Sequence, residues 1–276
     1  MFSRICAEEQ TMQKISMLFP GGLRKCLTFS YDDGNHADRR LTELFARYGM
    51  KATFNLNSGT FGGQNIAPEE VCTLYAGQEV ASHTVSHPNL VHMADSDLAL
   101  EILEDCRALE ALTGRGVCGF AYPYGTWNDA MIRALEACGI RYARTVNATG
   151  GFFLPERWLC WHPTCHHDDP RLMDLGNSLI VDQASQHLRL MSIWGHSYEF
   201  DRNDNWQRME DFCALMAGKT DIWYATNIEI YDYIHAFNEL RFNTDMTTCY
   251  NPTVADLWFE YNETPYFVKG GETIQL

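Results

Sequence analysis

Short apolar and β-branched runs alternate along the chain with longer stretches in which apolar positions recur every three or four residues. The first run, Lys25 to Ser30, predicts a strand. It leads through Asp32-Asp33-Gly34 into a helix near residues 37–48, where Leu41, Leu44, Phe45 and Tyr48 share one face and Gly49 supplies a stop. A strand over Lys51 to Asn57 follows, then a short helix opened by Pro68 and closed by Gly77. Glu79 to Ser82 predicts the third strand. The helix expected near 95–112 carries a core stripe of Leu98, Ile102, Cys106 and Leu109, with Asp95 as N-cap and Gly114 at its end.

A strand at Val117 to Tyr122, a helix carrying Met131, Leu135 and Cys138, and a strand at Arg141 to Val146 continue the alternation. Residues 147–170 read as a long loop with one extended piece at Trp158 to Trp161, before a short helix over 171–180. A sixth strand, Leu188 to Trp194, a helix near 206–217 and a seventh strand, Ile222 to Thr226, complete it. Seven strand–helix alternations are the pattern of parallel βαβ units, closed as a barrel or open as a doubly wound sheet. No glycine-rich phosphate loop follows the first strand, which disfavours a nucleotide-binding sheet. From Asn243 the pattern changes to short alternating pieces near 254–259 and 265–268. The expected division is therefore a barrel over 1–242 and a short β-rich extension, 243–276, packed on it.

Composition narrows this picture. A 276-residue chain with 46% hydrophobic residues is long enough for one large α/β domain with a sizeable core. A formal net charge of -15 argues against nucleic acid as a partner. No apolar run reaches the length of a membrane span, and Glu8, Glu9 and Lys14 fall where a signal peptide would need its apolar core, so a cytoplasmic location is expected. The ten cysteines are scattered without a C-x-x-C pair, which fits buried free thiols in a reducing compartment.

Reactive residues recur where the strands end: Asp32 and Asp33, His83 and His87, Tyr124, Arg144, and His196. In a parallel barrel these ends share one face, where active sites of such barrels lie. Adjacent carboxylates repel, so a neutral or cationic neighbour, often a metal, is expected to hold Asp32 and Asp33; taken alone, Asp-Asp-Gly reads first as an ordinary exposed turn. His83 and His87, four residues apart, can grip one ion. Two histidines and one carboxylate leave coordination positions open, the arrangement of a catalytic Zn²⁺ site. The Cys160 to His167 segment fits no standard zinc spacing and reads as a loop lining the cleft, with His162 or His166 touching substrate. Trp127, Trp161, Trp194 and Tyr198 offer flat faces to a sugar ring, or pack in the core or rim.

TFSYDDG, SHTVSHP, FAYPYG and the IWGH strand end together resemble, in order and spacing, the motifs of the polysaccharide deacetylase superfamily (carbohydrate esterase family four, NodB-homology domain), over about residues 23–240. The resemblance implies a distorted (β/α)₇ barrel and metal-dependent hydrolysis of N-acetyl or related amide groups, with Zn²⁺ as the expected ion and Co²⁺, Ni²⁺ or Mn²⁺ as substitutes. By motif, Asp33, His83 and His87 are similar to the metal ligands and Asp32 to the general base. Tyr124 matches the residue whose backbone N–H holds the oxyanion, and His196 the general acid.

Ala121 stands where that family usually has an arginine paired with the base, and Arg144 is expected to supply the cation instead. The Asp-Trp pattern common in the family is also missing after the fifth strand. The expected activity is N-deacetylation of sugars or oligosaccharides with release of acetate. A cyclic amide or ureide hydrolase, and a catalytically decayed carbohydrate-binding protein, are the alternatives.

Overall fold

The computed structural model describes residues 15–183 and 187–276. The N-terminal residues behind the expected location, and Cys6, lie outside the described residues. In chain order the strands are β1 (Ile15–Leu18), β2 (Lys25–Asp32), β3 (Ala52–Leu56), β4 (Glu79–Ser82), β5 (Gly119–Ala121), β6 (Tyr142–Arg144), β7 (Cys165–His166), β8 (Arg189–His196), β9 (Ile222–Tyr224), β10 (Arg241–Phe242), β11 (Thr248–Tyr250), β12 (Leu257–Tyr261), β13 (Thr264–Val268) and β14 (Thr273–Gln275). The helices are α1 (Asp38–Tyr48), α2 (Val71–Leu74), α3 (Asp95–Thr113), α4 (Asp129–Ala137), α5 (Leu172–Val181), α6 (Tyr198–Arg202), α7 (Trp206–Met216) and α8 (Asn227–Asn238).

Contacts divide the chain into two units, one from Arg24 to His235 and one joining the segment that ends at Leu23 to Ala236–Leu276. The larger unit is the parallel barrel. Its sheet runs β6-β5-β4-β3-β2-β8-β7, with β9 also on β2. Strand β2 shows why it curls around a polar interior. Leu27, Phe29 and Tyr31 point outward into the aromatic core, where Phe29 and Tyr31 meet Phe45 of α1 and Phe29 meets Phe212 of α7. The alternate residues Thr28, Ser30 and Asp32 point inward and are equally buried, each bonded to another polar side chain. The period of two thus separates an apolar outer layer from a hydrogen-bonded bore.

Sequence and structure differ most in residues 147–170. Trp158–Cys160 is a 3₁₀ turn, not an extended piece. The extended part begins at Trp161, which bridges Arg144 of β6, and ends in β7, which pairs with β8. This segment spans from one end of the sheet to β8 and completes the ring. Helices α6 and α8 were also unanticipated. In the smaller unit β1 pairs with β12, and β12 with β13; β10, β11 and β14 form a second antiparallel sheet. The segment around β1, read from sequence as part of the barrel, therefore belongs with the C-terminal strands. All nine described cysteines are free. No described helix is long and apolar enough to cross a membrane.

Candidate active site

The C-terminal ends of the barrel strands bring together Asp32, Asp33, His83, His87, Arg144 and His196, and strain marks the place. Asp33, Thr84, His87 and Tyr124 all have positive φ, at 77°, 72°, 55° and 58°. Side chains other than glycine pay for that conformation, so it persists only where the surroundings enforce it.

His83 is buried, and its Nδ1 lies 2.7 Å from the carbonyl of Ala121. A carbonyl only accepts, so the ring proton sits on Nδ1 and the Nε2 lone pair is free. That nitrogen is 3.7 Å from Asp33 Oδ1, and His87 Nε2 is 3.8 Å from the same oxygen. Burial lowers the affinity of the His83 ring for a second proton. A neutral imidazole with its donor fixed by a carbonyl is the form in which histidine ligates metals. Asp33, His83 and His87 offer ligand atoms within 4.8 Å of one another, so the donor set fits a divalent cation such as zinc.

Asp32 is treated differently although it adjoins Asp33. It is 3% exposed, and Asn55 Nδ2 donates to its Oδ1 at 2.8 Å. Arg144, 1% exposed, places one terminal guanidinium nitrogen against both carboxylate oxygens, and its Nε donates to Ser30 Oγ at 3.1 Å. Burial alone would push the Asp32 carboxyl up; Arg144, with His83 and His196, overrides it and holds the group at about 2. The source of the arginine is explained by register. Arg144 is the ladder partner of Ala121, the position where the related motif would carry arginine. Paired residues of adjacent strands project to the same side, so moving the cation one strand over preserves its aim, and the alanine leaves room for it.

His196, at the end of β8, stands 4.0 Å from Asp32 Oδ2 and 3.9 Å from Asp33 Oδ2 through Nε2. Behind it lies a residue the sequence reading missed. Glu199 of α6 places Oε2 3.3 Å from His196 Nδ1, 3.0 Å from His166 Nε2 and 3.3 Å from His167 Nε2, while Arg202 donates to its Oε1 at 3.0 Å. Burial would raise this carboxyl, but His166 and His196 hold it far below the usual range. Burial would likewise lower His196, and Glu199, Asp32 and Asp33 more than offset it, so the ring keeps a proton above its ordinary range. The available signal was the i, i+3 spacing of Glu199 from His196, which places both on one face of a following turn.

His166, His196 and Glu199 also lie within ligand distance of one another. Asp168 N–H donates to His166 Nδ1 at 3.1 Å, however, which puts the ring proton on Nε2. His166 is therefore a donor to Glu199 rather than a ligand. His167 is fully buried between Tyr31 and Phe200, and burial drops it to about 2.

Of the residues expected to face substrate, one requires correction. Trp161 is 1% exposed and packs edge-on against Tyr142 and Trp158, because the bridge to β6 draws it into the wall. One face of Trp194 is covered by Arg144, whose guanidinium carbon lies 4.8 Å from the ring centroid. His166 is partly exposed but turned to Glu199. Tyr198 stays beside His196, with ring centroids 5.2 Å apart. Tyr124 is 64% exposed and sets its ring edge-on to His87 at 4.6 Å.

Parallel strands curled round a polar bore, with histidines and aspartates at the C-terminal mouth, define a deacetylase-type (β/α)₇ barrel. Residues 21–143 match the family described as Polysaccharide deacetylase. Over 115 residues the chain is 30% identical to a chitooligosaccharide deacetylase of Azorhizobium caulinodans, covering 41% of this chain and 54% of that protein. The match thus spans about half the length of this curated relative. A Mycobacterium smegmatis protein described as a polysaccharide deacetylase superposes with a TM-score of 0.60 at 15% identity, covering 81% of this chain and 94% of that one. The carbohydrate-esterase domain of a multidomain xylanase from the hindgut metagenome of Trinervitermes trinervoides gives 0.53 at 18% identity, over 77% and 92%. Residues 21–143 are thus similar to the polysaccharide deacetylase family, and the superpositions show the same barrel fold over most of the chain.

Proposed function

We propose that this protein is a divalent-metal-dependent N-deacetylase of acetylated sugars or oligosaccharides that releases acetate. The observation that carries the reading is the division of labour between adjacent acids: the Asp32 carboxylate is held by Arg144, whereas Asp33 sets one oxygen, Oδ1, between the Nε2 atoms of His83 and His87. Asp33, His83 and His87 would hold the cation, zinc being the best fit to two nitrogens and one carboxylate. When bound, the cation polarises the acetamide carbonyl and acidifies water.

The chain's own groups then perform the proton transfers. Asp32, kept ionised by Arg144, accepts the proton of the attacking water. The backbone N–H of Tyr124, held at the mouth by its left-handed turn, donates to the developing oxyanion. His196 Nε2 gives a proton to the departing amine, its ring backed by Glu199 through Nδ1. The reaction exchanges an amide for a carboxylate and an amine, so no redox partner is needed.

Acetate release from N-acetylglucosamine oligomers in the presence of Zn²⁺, Co²⁺ or Mn²⁺ tests this directly. Turnover abolished by chelation and restored by metal is expected. Opening of a cyclic ureide without acetate release would transfer the same site to a different amide, and no turnover on either substrate with any of these metals would make the protein a binder.

A further inference from the structure

Asp105 lies on α3, outside the machinery described above, yet its carboxylate is entirely buried. A carboxylate is costly to bury unless donors surround it, so its partners indicate what it holds. Oδ1 accepts the backbone N–H of Ser58 at 2.7 Å, and Oδ2 accepts Ser82 Oγ at 2.6 Å and the backbone N–H of His83 at 3.2 Å. One carboxylate thus ties the turn after β3 to the end of β4, one residue before and at a proposed metal ligand. Burial raises the Asp105 carboxyl, and these donors oppose that shift.

The loop it anchors needs anchoring. Thr84 and His87 both adopt left-handed backbone, at φ 72° and 55°. Asn57 adds a second clamp, its Nδ2 donating to the carbonyls of His83 and Thr84. Thr84 Oγ1 accepts the backbone N–H of His87 at 3.1 Å. Within this frame the His83 ring can keep Nδ1 on the Ala121 carbonyl and Nε2 toward Asp33.

We infer that Asp105 is a positioning residue for the metal centre: it fixes the His83 peptide from behind, so that the imidazole meets Asp33 with its Nε2 lone pair already aimed. The inference rests on the metal-dependent reading, and it has a metal-free readout. His83 Nδ1–H, bonded to a buried carbonyl, should give a downfield, exchange-protected imidazole proton in ¹⁵N-histidine-labelled apoprotein, assigned by its loss in His83→Gln.

Asp105→Asn keeps the size but presents an amide N–H₂ to at least one existing donor. The full-length variant is expected to lose protection of that proton and to bind Zn²⁺ about 10–100-fold more weakly in chelator competition, the range typical of lost outer-shell support. A variant with lowered apo Tm, a protected His83 proton and zinc affinity within twofold of wild type would reduce Asp105 to a stabilising contact and overturn the inference. Should Asp105→Asn fail to fold, Ser82→Ala removes one of the three donors and leaves the carboxylate. A several-fold weaker zinc affinity with faster exchange supports the inference, and wild-type values for both overturn it. Wild-type protein that binds no divalent metal would defeat the deacetylase reading while the proton measurement still decides the positioning.

Discussion

Asp32 and Asp33 are adjacent, yet their surroundings give them separate chemistry, and substitution should separate them. Asp32→Asn is expected to retain zinc and lose activity by at least about 100-fold, the scale of general-base removal. Asp33→Ala should lose zinc itself, as measured by metal content after dialysis. Equal metal loss in both would erase the distinction. Arg144→Ala leaves a buried carboxylate unpaired, so a stability loss of about 3–5 kcal/mol is expected in urea unfolding, together with loss of activity. Arg144→Lys should recover only part of either, because an ammonium lacks the separate Nε donor that ties the guanidinium to Ser30 Oγ while its terminal nitrogen holds Asp32. Glu199→Gln removes the negative charge behind His196, so the ring should release its proton at lower pH. The alkaline limb of the kcat profile then moves downward with little change in KM; an unmoved limb would free His196 from Glu199.

At the level of elements, much of the barrel can be read from periodicity. The alternation in β2 and the stripe of α3 are strong signals because each buries a continuous apolar face. Asp105 was hidden inside that stripe: it falls at the same spacing as Leu98, Ile102 and Leu109, where an acid breaks the apolar pattern and signals a buried partner. Segment 161–166 is not legible locally, because its extended conformation is set by pairing with β6 and β8, contacts distant in sequence that no local preference encodes. Helix α6, at five residues, is too short for a periodic signal, and with it Glu199 was lost from view. Arg144 was accessible only by asking which strand could replace a missing cation.

A prediction at this scale concerns the end of β8. A Cβ on Gly195 would lie 2.0 Å from His167 Nδ1, so the strand approaches that ring as only glycine allows. Gly195→Ala is expected to destabilise the fold by about 1–3 kcal/mol, as overpacking does. It should also perturb the Glu199 cluster, visible as altered histidine resonances.

For the whole molecule, two buried acids away from the proton-transfer pair set the response to pH. Burial pushes Asp38 up to about 7, with Tyr75 OH donating to it at 2.6 Å, and pushes Glu79 up to about 7 although Thr53, Tyr142 and Ile228 N–H all donate to it. Because the folded state binds these protons more tightly than the unfolded chain, their contribution is present below the ordinary carboxylate range and is lost as pH rises toward 7. Asp32 has the opposite sign, its stabilisation being lost as pH falls from about 4 to about 2. Thermal stability of the apoprotein is therefore expected to decline between about pH 4 and pH 7, by up to a few kcal/mol for each acid. Asp38→Asn should flatten that decline, and an unchanged slope in differential scanning calorimetry would remove Asp38 from the account.

The contact between Arg144 and Asp32 has one more consequence. In the sheet, β6 and β2 are separated by β5, β4 and β3, so this ion pair reaches across the bore rather than along the wall. It is a strut between distant staves, formed only once the intervening strands have assembled and curled. A chain trapped half-folded, or a barrel sprung open by heat, would expose an Asp32 without its arginine and therefore a base without its charge held. On the deacetylase reading, catalytic readiness would then report on assembly: the first turnover would come only from a molecule in which Arg144 has reached Asp32.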